Sequence, residues 1–352
     1  MKKIFYCLAI ATVIIACKKT ELAFKPEQEF VAASSNQTKN PSVLTHPITA
    51  NSAIQAFVRG EIINGTLNNY VDKGFCYKTT PNPTVNDNII SGTPDTYYPN
   101  IQFTALIQGL TPATTYYVKA YVKKNNGSVI YGNQESVTTL AIGNPDPGVG
   151  PVTDIDGNVY NSISYNGKVW MVENLKTTHY RDGSPITNIT NNTTWGTATS
   201  EAYCDYDNNS ANAAAYGRLY NLFAVKDSRN IAPAGWHVAS YSEWQSMINY
   251  LGGGGIAGGR MKETGFNHWL SPNTGADNSS GFTAVGSGWR SSSFAGLQQI
   301  SLFWNSSCSI SSINDANINA FILRNNSADY SEQRGYIGTG ATFGYSVRCV
   351  KD

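Results

Sequence analysis

The residues that could do chemistry are few and scattered. Four histidines, His46, His179, His237 and His268, are too widely spaced to form a His-x-x-x-His zinc helix. No Gly-x-Ser-x-Gly turn places a serine nucleophile. Two oxygen-rich clusters stand out. Asp154, Asp156 and Asn158 alternate like the first ligands of a calcium loop, but the rest of that loop pattern is missing, so a hydrogen-bonded turn is expected there. Asp205, Asp207, Asn208 and Asn209 form the second cluster, and Asp205, Asp207 and Asn208 are the candidate calcium ligands. No cofactor other than calcium is implied. The chain is therefore expected not to be an enzyme.

Binding is the better supported chemistry. A sugar presents a flat apolar ring face edged by hydroxyls, which suits stacking aromatics flanked by amide and guanidinium groups. Trp195, Trp269, Trp289, Arg290 and Asn305 lie in polar connections and are the candidate ligand-binding set. Taken singly, each tryptophan suits a core better than a binding face, because a Gly-rich domain needs large side chains to exclude water. A protein ligand would use the same residues.

Composition narrows the setting. Charged residues make up 14% of the 352 and aromatics 12%, which fits an extracellular β-rich protein. The formal charge is +1, and removing Lys2 and Lys3 would leave 23 basic against 24 acidic residues, so no field exists to collect nucleic acid. All seven tryptophans fall after residue 150, so two domains of different character are expected to meet there.

Residues 1–17 are read as a signal peptide. Lys2 and Lys3 precede a thirteen-residue apolar run, Ile4 to Ala16, too short to cross a hydrocarbon core of about 30 Å. Its end, Val13-Ile14-Ile15-Ala16-Cys17, resembles the lipobox of bacterial lipoproteins, which implies acylation of Cys17 and attachment to the outer membrane or cell surface. Residues 18–40 carry no sustained period and are expected to form a flexible tether.

The elements that must position the candidate residues follow. Over 41–140, two-residue alternation marks strands at Ala53 to Val58, Tyr70 to Tyr77, Ile101 to Leu106 and Tyr116 to Val122, separated by turns such as Asn125-Asn126-Gly127. About seven short strands in a hundred residues predict two packed antiparallel sheets. Leu110-x-Pro112-x-Thr114-x-Tyr116, with Val118 and Ala120, resembles the E–F corner of fibronectin type III domains, in which a tyrosine hydrogen-bonds back to nearby backbone. Lys73-Gly74-Phe75-Cys76-Tyr77 and Tyr131-Gly132-Asn133 are similar to the variant found in Bacteroidetes surface proteins. Cys76 reads as a small core residue, and His46 as a solvated strand residue. Residues 141–151, rich in Gly and Pro, are the expected linker, a short semi-rigid hinge.

In 152–352 the spacing predicts one amphipathic helix over Ala214 to Val225 and a second after a Ser240-x-x-Glu243 capping box, with Trp244, Met247, Ile248 and Leu251 as its apolar stripe. Gly252 to Gly259, six of eight residues glycine, is expected to be a loop. Strand-like pieces follow at Phe282 to Val285, Leu302 to Trp304, Ala320 to Leu323 and Phe343 to Val350. The expected fold is multidomain: an all-β fibronectin type III-like sandwich followed by an α+β domain.

The ordered set Asp156-Gly157-Asn158, Trp170-Met171-x-Glu173-Asn174-Leu175, Tyr216-Gly217-Arg218-Leu219-Tyr220-Asn221, Pro233-x-Gly235-Trp236-His237-Val238 and Gly344-Tyr345-Ser346-Val347-Arg348-Cys349-Val350 resembles the Fibrobacter succinogenes major paralogous domain. The resemblance implies a distant relation to C-type-lectin-like folds through the formylglycine-generating enzyme group. Members of that family place a cysteine ahead of the Pro-x-Gly-Trp segment, where this chain has Ala232. Cys349 must then be free or pair elsewhere, and Cys308 with Cys349 is the favoured bridge, with Cys204 the other candidate partner. His237 is expected to make a structural hydrogen bond beneath the capped helix. The functional expectation is a non-catalytic surface binding or adhesion module with a glycan or protein ligand. A structural component of the envelope or of an appendage is the alternative, and a metal-dependent enzyme a more remote one.

Overall fold

The computed structural model describes residues 40–50, 52–312, 315–337 and 340–352. The leader, Cys17 and the tether through residue 39 lie outside the described residues.

The first part is built from strands whose alternate side chains point inward. These are β1 (Ser42–Thr45), β2 (Gln55–Ile63), β3 (Asp72–Lys78), β4 (Asn88–Ser91), β5 (Thr93–Pro94), β6 (Gln102–Gln108), β7 (Thr115–Lys123), β8 (Val129–Tyr131) and β9 (Glu135–Thr138). One sheet has the order β1-β2-β6-β5, and the other β4-β3-β7-β8 with β9 also on β7. In β2, Ala56, Val58 and Ile62 are buried while Phe57, Arg59 and Ile63 face out, as a half-buried strand requires. The inward residues of both sheets meet Phe75 and Phe103, whose ring centroids are 5.2 Å apart. Gly60 and Gly92 leave room for Phe103: a Cβ would lie 2.4 Å and 2.5 Å from its ring. The corner resembling fibronectin type III closes as that resemblance implies, with the Thr111 N–H donating to the Tyr116 hydroxyl at 3.0 Å. His46 is not simply solvated; its Nε2 lies 2.8 Å from Glu61.

The stretch expected to hinge is pinned instead. Gly143 N–H donates to the Tyr250 carbonyl at 2.6 Å, and the Tyr250 hydroxyl donates to the Asn144 carbonyl at 2.5 Å. A short strand, β10 (Asp146–Pro147), pairs with Ile163 and Ser164.

Beyond it, the ribbon β11 (Val152–Thr153) with β12 (Val159–Tyr160) leads to the hairpin β13 (Ser162–Tyr165) and β14 (Lys168–Met171). Then come α1 (Asn192–Gly196), β15 (Tyr203–Cys204), α2 (Ser210–Tyr216), β16 (Leu219–Tyr220), α3 (Leu222–Lys226), β17 (Trp236–Val238), α4 (Tyr241–Tyr250) and α5 (Gly254–Met261). The last strands are β18 (Ser287–Arg290), β19 (Phe294–Leu297), β20 (Ile300–Phe303), β21 (Ser309–Ser312), β22 (Asp315–Arg324), β23 (Tyr330–Ile337) and β24 (Cys349–Lys351). A five-stranded sheet has the order β10-β13-β14-β24-β17. A six-stranded sheet has the order β19-β18-β20-β22-β21, with β23 on the free side of β22. The described residues are thus mostly β-strand, in several sheets, with the α-helices confined to the second part.

α4 begins at the expected capping box: Ser240 Oγ accepts from Glu243 N–H at 3.3 Å, and Glu243 Oε2 accepts from Ser240 N–H at 2.9 Å. Trp244 sits edge-on to Trp170 at 4.9 Å and stacks on Phe321 at 4.9 Å, which ties α4 to both sheets.

Three expectations fail for identifiable reasons. The glycine run is a helix, not a loop, because α5 lies directly on backbone: a Cβ on Gly258 would stand 2.4 Å from the Asp329 carbonyl oxygen, and one on Gly259 2.3 Å from that of Gly275. Packing outweighs a helix propensity deficit of about 1 kcal/mol per glycine. The single helix over 214–225 breaks at Gly217, whose φ of 74° and whose contact with Asn174 admit no side chain. Asn221 then starts α3 by accepting from Ala224 N–H at 3.0 Å. The third is Phe282 to Val285, which makes one bridge, Ala284 to Lys262, because this segment threads between core side chains and does not join a sheet.

Candidate functional site

β18 sorts the sequence candidates by its two-residue period. Arg290 points inward and is fully buried. Its Nη1 donates to the Ile189 carbonyl at 2.6 Å and its Nη2 to that of Thr190 at 2.9 Å, while its guanidinium lies 4.5 Å from the rings of Trp195 and Phe294. Trp195 is fully buried beneath it. Trp269 is also sealed, its indole N–H donating to Ala284 at 2.8 Å. Asn305 is buried between a carbonyl of β22 (Asn319) and the Ser307 N–H. These four residues are core and offer no surface to a ligand, which corrects the expected binding set. The Arg290 Nη atoms, the Trp269 indole and the Asn305 amide satisfy buried backbone groups that would otherwise be left unpaired.

Trp289 differs. It is the one half-buried tryptophan of seven, on the opposite face of β18 from Arg290. It lines a cleft of about 370 Å³ with an apolar floor of Ile300, Leu302, Ile322 and Tyr345, edged by Phe343, Arg324, Glu332 and Gln333. The Phe343 ring meets the indole edge-on, 5.8 Å between centroids. The rim is held in place from below: the Tyr345 hydroxyl donates to Gln333 Oε1 at 2.8 Å, and Arg324 donates to the Ser331 hydroxyl. An aromatic wall beside amide and guanidinium groups can stack a flat apolar face and hydrogen-bond its edge. Phe343, Arg324, Glu332 and Gln333 were not among the sequence candidates. Arg324, Glu332 and Gln333 converge through the pairing of β20, β22 and β23, and Phe343 through the bridge of Gly344 to Arg290, for which no local pattern exists.

The oxygen clusters serve other ends. Asp154 Oδ1 accepts from the N–H groups of Asp156 and Asn158 at 3.0 and 2.9 Å, the expected turn. Asp156 accepts from backbone and hydroxyl of Thr178 and pairs with His179 Nδ1 at 2.5 Å, and these partners hold its carboxyl below the usual range against the opposing effect of burial. The expected calcium set is not assembled: Asp205 pairs with Arg218 at 3.1 Å, Asn208 Nδ2 donates to the Thr190 carbonyl at 3.0 Å, and Asp207 is exposed. Among the described residues no group of three or more His, Cys, Asp or Glu is placed to hold a metal ion.

The favoured bridge is absent as well. Cys76, Cys204, Cys308 and Cys349 are all buried free thiols. Cys308 and Cys349 share a core cluster, but Cys308 instead accepts from Asn319 N–H at 3.3 Å. Burial pushes the Cys204 thiol up to about 12 and raises that of Cys349 as well, so neither is a ready nucleophile. His237 holds Glu243 at 3.0 Å and Asp352 at 2.7 Å, the structural role expected beneath the capped helix.

A model of the family described as Fibrobacter succinogenes major domain matches residues 163–351. No curated protein matches the chain. Among solved structures, the sensor domain of the anti-sigma factor RsgI4 of Pseudobacteroides cellulosolvens matches at 18% identity, covering 30% of this chain and 100% of that one, with a TM-score of 0.21. Purple acid phosphatase PPD1 from yellow lupin (Lupinus luteus) seeds matches at 14% identity, covering 32% of this chain and 20% of that one, with a TM-score of 0.21. Overlaps this small carry no argument about fold or activity.

Proposed function

We propose that this chain, which belongs to the Fibrobacter succinogenes major domain family, is a lipid-anchored surface binding module that holds a glycan in the Trp289 cleft. The observation that carries this reading is that Trp289 is half open against Phe343, over an apolar floor and beside Arg324 and Gln333, while the other tryptophans are sealed. A pyranose ring stacked there would bury its apolar face and leave its hydroxyls within reach of the rim. Anchoring through Cys17 is supported by the leader sequence. Among the described residues no helix is long and apolar enough to cross a membrane. A C-type-lectin-like α+β fold for 152–352 is supported by the packing of α4 between two sheets.

A structural role in the envelope or an appendage is the second reading, favoured by the pinned 141–151 segment, which suits a rigid spacer. An enzyme of the formylglycine-generating kind needs reactive, accessible cysteines, and the sealed thiols count against it.

The test is a glycan array probed with the chain from Asn40 onward, with and without calcium. Selective binding abolished by Trp289→Ala would support the reading. Selective binding unaffected by that change, or no glycan signal, would refute it.

A further inference from the structure

β23 is an outer strand. It pairs with β22 from Tyr330 opposite Leu323 to Ile337 opposite Ala316, and among the described residues no strand pairs with its other side. In such a strand every second residue turns its N–H and C=O away from its neighbour, and that row of unpaired groups is a template for another strand. Edges are commonly protected by charges that repel an incoming copy. Here the charges have opposite sign and sit symmetrically about Gln333: Glu332 on one side and Arg334 on the other.

We propose that β23 pairs with β23 of a second copy of this chain, antiparallel, with Gln333 opposite its own equivalent. A two-fold axis at Gln333 sets each Glu332 opposite the Arg334 of the other copy, giving two cross-strand pairs of opposite charge from one symmetric contact. Slipping the pairing by two residues in one direction puts Glu332 opposite Glu332; the other direction puts Arg334 opposite Arg334. Charge therefore selects a single register, and register is what a flat edge otherwise leaves open. Both side chains are presented on one face of the strand: Arg334 bonds Glu332 and the Tyr241 hydroxyl, and Gln245 steadies Glu332 at 2.5 Å. The Arg334 side chain is 58% exposed and bonds Glu332, which is 9% exposed, so each Glu332 meets a partner by exchanging its own Arg334 for that of the other copy. The pairing does not depend on the glycan reading, although it would set two Trp289 clefts on one continuous sheet.

The test uses the full chain in detergent carrying Gln333→Cys, oxidised and run on a non-reducing gel. A band of doubled mass is expected, with little from Asn326→Cys in the exposed β22–β23 turn. Adding Glu332→Arg should lower the yield at least fivefold, and adding Arg334→Glu to that variant should restore it. Tryptophan fluorescence identical to the parent shows that each variant is folded. Three results would overturn the proposal: no doubled band, equal yields from the two cysteine positions, or a charge-swapped variant that stays monomeric. Bridging of the Gln333→Cys thiol only to an unlike chain would also overturn it and assign the edge to another partner.

Discussion

Trp289 and Arg290 are neighbours in β18 that face opposite sides of their sheet: the indole opens onto a cleft, and the guanidinium is sealed 4.5 Å from the Trp195 ring. Stability and binding should therefore separate cleanly between the two faces of β18. Trp289→Ala is expected to shift the denaturant midpoint little, whereas Trp195→Ala should cost about 3–5 kcal/mol, the usual range for emptying a buried aromatic site. Equilibrium unfolding of both variants checks this, and equal losses would contradict it.

Lys262 is fully buried, and its ammonium donates to the carbonyls of Thr274, Arg324 and Ser327 at 2.9, 2.9 and 2.8 Å. Burial pushes its pKa down to about 8, against about 10.4 for an unfolded lysine. Below pH 8 both states hold the proton, so this group contributes no pH dependence. Between about pH 8 and 10 the unfolded state binds more protons than the folded one, so stability rises with pH. Relative to Lys262→Met, the wild-type unfolding free energy should be flat below pH 8 and climb above it. A difference that fell over that range would contradict the assignment.

Gly258 gives a test in which packing and propensity oppose one another. Alanine is the better helix former by about 1 kcal/mol. A Cβ there would nonetheless meet the Asp329 carbonyl oxygen at 2.4 Å. Gly258→Ala is expected to lower the melting temperature; a higher one would show that α5 does not lie on that backbone.

The four described thiols should be silent in the native protein. Ellman's reagent is expected to react with none of them until denaturant is added, and then with all four. An intact mass two hydrogens light would instead reveal a bridge.

Much of the fold is legible in the residues, because its signals are local. The Ser240–Glu243 box, the Tyr116 corner and the alternation in β2 each depend on residues a few positions apart. α5 is hidden because its glycines are set by the 259–275 and 258–329 contacts, far apart in sequence. The cleft is hidden for a related reason. Period two places Trp289 and Arg290 on opposite faces without saying which face is covered, and Phe343, Gln333 and Arg324 join Trp289 only when β18, β20, β22 and β23 assemble. Polar flanks around Trp195 and Trp269 suggested exposure, yet Arg290 over Trp195 and the Trp269 indole itself both serve buried backbone carbonyls.

The most direct measurement is isothermal titration of the best glycan from the array into wild-type protein and into Trp289→Ala, with Trp269→Phe as a folded control. Loss of the stacking wall should weaken binding by about tenfold, corresponding to about 1.4 kcal/mol, while the control binds as the wild type does. Equal affinity of wild type and Trp289→Ala would place the ligand elsewhere and contradict the account.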